Sequence, residues 1–115
     1  MNGSNNKKQI IEKYKSREII GGIYAIKNIA DNKILINYTT DIKSSKSRFE
    51  FSKATGSCID LKLQSDWDKR GADNFEYEML EELKKNENLD KDEFKKELVL
   101  LKEIWEDKLK NENLY

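Results

Sequence analysis

Two apolar, β-branched runs on either side of a short loop constrain this chain more than any other feature. Ile23-Tyr24-Ala25-Ile26 and Ile34-Leu35-Ile36-Asn37-Tyr38 flank the loop Asn28 to Asn32, which is the pattern of a β-hairpin. Alternation in the second run puts Ile34, Ile36 and Tyr38 on one face and Leu35 and Asn37 on the other. Gly21-Gly22 opens the first run, where small residues let another backbone or a ligand come close. Asp41 then stands as a helix N-cap ahead of a segment reaching Lys53.

The remaining chain supplies covering elements. Residues 1–6 read as a frayed tail. Ile10, Ile11, Tyr14 and Ile19 or Ile20 recur at near-helical spacing and predict a short helix over residues 7–17. Its apolar stripe covers the sheet or docks on another chain. After Thr55-Gly56, Ser57 with Asp60 three later suggests a capping box. It opens a helix that buries Ile59, Leu63 and Trp67 and stops at Gly71. Phe75, Tyr77 and Met79 alternate with Glu76, Glu78 and Leu80, a half-exposed third strand. Leu89, Asp90, Glu93 and Phe94 form a capping box with a hydrophobic staple. Phe94, Leu98, Leu101, Trp105 and Leu109 then make one helical stripe, and Trp67 and Trp105 are expected as core anchors. The expected fold is α+β, a three-stranded antiparallel sheet flanked by helices in the order α-β-β-α-α-β-α. All 115 residues form one domain, with its core at 21–109.

Composition narrows the chemistry. The chain has no histidine and one cysteine, Cys58. That removes the commonest general base, a thiolate zinc cluster and an internal disulfide. Catalysis would fall to Tyr, Lys, Arg or carboxylates, with a hard ion such as Mg²⁺ as the metal. Cys58 reads as a small half-buried side chain, or as a thiol of lowered pKa beside a helix N-terminus. The first eight residues have no apolar core of a secretory signal, and no run approaches a membrane span; the expected compartment is the cytoplasm. Net charge is zero but unevenly spread: residues 1–18 and 19–72 carry +3 each, and residues 73–115 carry −6. Such a distribution permits a modest phosphate-facing patch and argues against strong non-specific DNA binding.

The run Gly22-Ile23-Tyr24-Ala25-Ile26-Lys27-Asn28, followed at hairpin distance by Asn32-Lys33, resembles the GIY-YIG nuclease family. Leu61-Lys62-Leu63-Gln64 and the segment from Gly71 to Leu83 look like its intron-homing members. The resemblance implies a DNA-cutting site with one divalent metal. Its parts would be a Tyr from each half of the motif, an Arg from the next helix and a metal-binding Glu from the last long helix. Phenols activate water, a guanidinium meets phosphorane charge, and a carboxylate holds the cation. Here Tyr24 matches the first Tyr. The second Tyr position falls on Leu35 and its Gly on Asn37. The Arg position is Ser45, and Phe49 stands one turn further. Aligned on Trp105, the metal-binding Glu becomes Lys102. An ammonium there turns an attraction of about 8 kcal/mol, at an effective dielectric near 20, into a repulsion of similar size.

The expectation is therefore a catalytically degenerate GIY-YIG-like domain, kept as a binding or regulatory module without a cofactor. Similar domains occur beside bacterial helix-turn-helix transcription regulators. Its partner would be DNA, held weakly by Lys43, Lys46, Arg48 and Lys53, or a protein docking on the N-terminal or C-terminal helix; membrane binding is not expected. The same basic residues also suit a solvated helix face. Tyr24 reads either as a relic of the active site or as packing. A divergent Mg²⁺-dependent endonuclease would need displaced groups: Tyr38, Arg48 and Glu103 beside Tyr24. A third reading is an oligomerisation unit.

Overall fold

The structure, a computed structural model, describes residues 19–85 and 88–115. In chain order it comprises β1 (Ile20–Asn28), β2 (Lys33–Thr39), α1 (Ile42–Thr55), α2 (Gln64–Arg70), β3 (Phe75–Lys84) and α3 (Lys91–Lys108). A 3-10 turn, Ala72–Asn74, leads into β3. The helix expected over residues 7–17 and the tail before it lie outside the described residues. For the rest, the expected α+β order holds.

The strands form one antiparallel sheet in the order β2-β1-β3. β1 takes the centre because it is apolar on both faces, with every residue from Gly21 to Ile26 buried. The glutamates of β3, Glu76, Glu78, Glu81 and Glu82, sit on an edge strand, where charge discourages further pairing. Tyr24 lies opposite Asn37 on β2 and Met79 on β3; Ile26 lies opposite Leu35 and Tyr77. The register shifts between Ile23 and Tyr24, so that Leu80 is the extra residue of a bulge.

The paired glycines report which helix covers which face. A β-carbon on Gly22 would stand 3.0 Å from Cδ1 of Ile42 in α1, and one on Gly21 would stand 2.8 Å from the Phe94 ring of α3. Successive strand residues face opposite ways. Hence α1 covers the face of Tyr24 and Ile26, and α3 covers the face of Ile23 and Ala25. The first face carries the core cluster Tyr24, Ile26, Leu35, Phe49, Leu63, Trp67 and Phe75. On the second, Ile23, Ala25 and Ile36 are buried along with Phe94 and Leu98.

Helix α1 is capped as its sequence demands. The Asp41 side chain accepts from the Ser44 N–H, and Gly56 ends the helix at φ 78°. It buries only Ser45, Phe49 and Ser52, while Phe51 is exposed. The Ser52 hydroxyl is satisfied by donating to Phe49 O at 2.6 Å. In α3, Asp90 accepts from Glu93 N–H at 2.8 Å. Phe94 and Leu98 are buried, and the stripe then runs out to half-buried Leu101, Trp105 and Leu109. Trp105 is thus no core anchor; its Nε1 donates to Glu81 Oε1 at 2.8 Å.

The second helix differs most from expectation. It begins at Gln64, with no side-chain cap at Leu63, and Ile59 is exposed ahead of it. Asp60 accepts from Lys62 N–H at 2.8 Å, so its carboxylate stabilises a turn and not a helix start. Leu63 and Trp67 are buried as expected. β3 is longer than the alternation implied, because the bulge at Leu80 lets it continue to Lys84.

A polar lock closes the hairpin end of the sheet. Asn28 is almost fully buried, and its Nδ2 donates to Asp31 Oδ2 at 2.8 Å and to the Tyr115 hydroxyl at 2.9 Å. Its Oδ1 accepts from Asn74 Nδ2 at 2.6 Å. The Tyr115 hydroxyl donates in turn to Asp66 at 2.7 Å. Backbone bonds between Ile34 and residues 113 and 115 hold the last residues against β2. No described helix is long and apolar enough to cross a membrane.

Candidate functional site

Tyr24 sits mid-way along the central strand, on the face that α1 covers. Ser45 and Phe49 are one turn apart on α1 and both look down onto it. Leu35 reaches the same face from β2 because it pairs with Ile26, one alternation beyond Tyr24. The positions that the resemblance singled out on β1, β2 and α1 therefore converge. Their burial is what matters: Tyr24 is 8% exposed, Leu35 4%, Ser45 4% and Phe49 3%. Phe49 stands edge-on to Trp67, with ring centres 6.3 Å apart, and Trp67 stacks on Phe75 at 4.8 Å. The floor of this face is a packed aromatic one.

One residue of the cluster was not foreseen. Tyr77 of β3 stacks on Tyr24, with ring centres 4.9 Å apart and planes within 13°. Its hydroxyl donates to Ser45 Oγ at 3.3 Å. Strand alternation already put Tyr77 on the face of Phe75. What it could not tell was that β3 lies directly beside β1.

Both phenols titrate above their usual range. Burial pushes Tyr24 up and outweighs the pull of the Ser45 hydroxyl; the Arg48 charge pulls it down only slightly. Tyr77 follows the same pattern, with burial first and Ser45 and Arg48 opposing it. At neutral pH both are neutral phenols, able to donate hydrogen bonds and poorly suited to act as phenolate bases. Burial likewise pushes the Cys58 thiol up, which leaves it a thiol of low reactivity.

The displaced groups that a divergent nuclease would need do not come together here. Tyr38 pairs with Ile23 and so occupies the opposite face of the sheet. Glu103 is exposed on α3, and Lys102 is ion-paired with Glu106 at 3.7 Å on that helix. Arg48 alone stays near Tyr24. Among the described residues, no group of three or more Asp, Glu, His or Cys side chains converges as a metal-ligand set.

The basic residues of α1 form two patches, not one. Lys43, Lys46 and Arg48 are exposed, and Lys53 is half-buried with its ammonium 5.7 Å from the Phe49 ring centre. Lys43, Lys46 and Lys53 recur at intervals of three and seven and share a flank. Arg48, two residues after Lys46, lies about 200° round the helix.

Among solved structures, the chain resembles the catalytic domain of the homing endonuclease I-TevI. Identity to it is 28% over 78% of this chain and 88% of that one, with a TM-score of 0.56. A mutant of the same catalytic domain, an intron endonuclease, gives 25% identity over 80% and 86% of the two chains and a TM-score of 0.58. No family model and no curated protein matches the sequence.

Proposed function

We propose that this chain, a GIY-YIG-like domain, binds nucleic acid without cutting it and acts as a binding or regulatory module. One observation carries the reading. Leu35 and Phe49 close the core around Tyr24, at positions where a nuclease of this fold would present a phenol and a polar group. Lys102, where the resemblance would place the metal-binding carboxylate, lies on the helix that covers the other face of the sheet and is paired with Glu106. With the second phenol, the motif guanidinium and the carboxylate all replaced, Tyr24 is left as a buried neutral phenol with no cation holder beside it. A surface that steered DNA need not vanish with them. The solved neighbours are endonuclease domains, and residues 19–72, which hold the sheet centre and α1, are mildly basic.

Supercoiled plasmid incubated with the protein and Mg²⁺ or Mn²⁺ tests the first half of the proposal. Plasmid that stays intact is expected, and metal-dependent nicking abolished by Tyr24→Phe and Glu103→Ala would refute it. Gel shifts across a salt series test the second half. Binding should be weak and fall with salt according to a small number of phosphate contacts.

A further inference from the structure

Helix α3 carries apolar residues on two sides. Phe94 and Leu98 are buried against the sheet, whereas Leu100 is 60% and Ile104 51% exposed. At 100° per residue, Leu100 stands about 160° round from Leu98 and about 120° from Phe94. Leu100 and Ile104 therefore lie on the outer side of the helix, one turn apart, with half-buried Val99 at their border. They form a short apolar ridge that no described element covers.

The charges beside this ridge indicate what surface it fits. Lys96 and Glu103 lie on one flank of Leu100, about 40° and 60° round from it. Seven residues separate them, about 10.5 Å along the axis, which is too far for them to pair with each other. Neither makes an ion pair with a described residue, whereas Lys102 of the same helix pairs with Glu106 at 3.7 Å. A two-fold axis crossing the helix at right angles between Val99 and Leu100 reverses the chain direction. It also sets each flank against the same flank of a second copy. Lys96 then meets the second copy's Glu103, and Glu103 meets its Lys96. Leu100 packs on Leu100, and Ile104 lies along the aliphatic stem of the opposing Lys96. A parallel pairing would put like charges together at both positions. Glu93 and Asp107, the acids nearest the ends of this face, sit about 10 Å from the axis, where helices crossing at the common angle have diverged.

We infer that the outer face of α3 is a contact between two copies of this chain, paired antiparallel about Leu100 with reciprocal Lys96–Glu103 bridges. One helix face falls short of the roughly 800 Å² that each partner gives a standard interface, so the association is reversible and depends on concentration. It stands apart from the nucleic-acid-binding reading, because α1 and its basic residues cover the opposite face of the sheet.

Sedimentation equilibrium of the full chain across a wide concentration range tests the contact, with circular dichroism showing that each variant is folded. The mean mass should rise from one chain towards two as concentration increases. Leu100→Lys, which puts an ammonium at the centre of the contact, should weaken association at least about 10-fold. Lys96→Glu and Glu103→Lys should each weaken it about 5-fold, because both bridges become repulsive. The double variant Lys96→Glu/Glu103→Lys restores opposite charges and should return to within about 2-fold of the parent protein. Protein that stays a single chain throughout would overturn the inference and leave the face to a different occupant. Association that ignores Leu100→Lys, or a double variant no tighter than the single ones, would overturn it as well, by placing the contact elsewhere or in another register.

Discussion

Arg70 grips Asp31 with two nitrogens, Nη2 at 2.6 Å and Nε at 3.1 Å, across 39 residues of sequence. This fork joins the hairpin loop to the end of α2 and thereby fixes the hairpin over the aromatic core. The Arg70 hydrogen bonds hold the Asp31 carboxyl down at about 2, with help from Asn28. A depressed carboxyl stabilises the fold above its ordinary pKa near 3.8 and loses that contribution as pH falls towards 2. Urea midpoints measured between pH 5 and pH 2 should therefore decline. In Asp31→Asn the decline should be smaller, because the group that must take up a proton is gone.

The alkaline side has its own reporter. Burial, followed by the hydrogen bond to Asp66, pushes the Tyr115 phenol up to about 12. A phenol raised in the folded state keeps its contribution below its ordinary pKa near 10 and loses it as pH rises towards 12. Melting temperature followed from pH 8 to pH 11.5 should fall more steeply in the parent protein than in Tyr115→Phe. At neutral pH that variant should be less stable by roughly 1 kcal/mol, the usual net worth of a part-buried hydrogen bond.

Gly22 admits no side chain. A β-carbon there would lie 2.2 Å from the backbone oxygen of Glu81 across the β1–β3 pair. Gly22→Ala should destabilise the domain by about 3 kcal/mol or misfold it, as seen in chemical denaturation. Gly21→Ala meets Thr39 O at 2.7 Å and the Phe94 ring at 2.8 Å, and should displace α3 as well.

Restoring motif residues singly should not restore cleavage. Leu35→Tyr adds a larger, polar side chain to a position that is 4% exposed, and should cost about 1–3 kcal/mol through overpacking. Lys102→Glu supplies a carboxylate on the helix that covers the other face of the sheet. Plasmid nicking with Mn²⁺ should stay at background for each, and clear metal-dependent nicking by either would contradict the proposal.

Phe49 should be a pillar of the fold and not a spare residue on a vacated site. Its ring contacts Trp67, Tyr77 and the Lys53 ammonium. Phe49→Ala should cost about 3–5 kcal/mol, the usual range for emptying a buried aromatic position, read as a shift in the urea midpoint at constant slope.

Much of this was legible locally. The hairpin, the Asp41 and Asp90 caps, and the faces of Leu35 and Tyr38 follow from period, turn residues and alternation. The start of α2 was misjudged because an Asp three residues after a Ser fits a capping box and a loop turn equally well. Hydrogen-bond competition around Asp60 chose the turn. Trp105 was misjudged because helical periodicity marks a stripe without saying how far along it the covering sheet extends.

The sequence by itself determined the family likeness and the hairpin that leads into α1, since each depends only on residue type and short-range spacing. The tertiary structure alone decided that β3 lies beside β1. It thereby brought Tyr77 against Tyr24, and the packing of the whole chain tied Tyr115 to Asn28 and Asp66. Strand order and long-range hydrogen bonds arise from packing the whole chain, and no local pattern of residues encodes them.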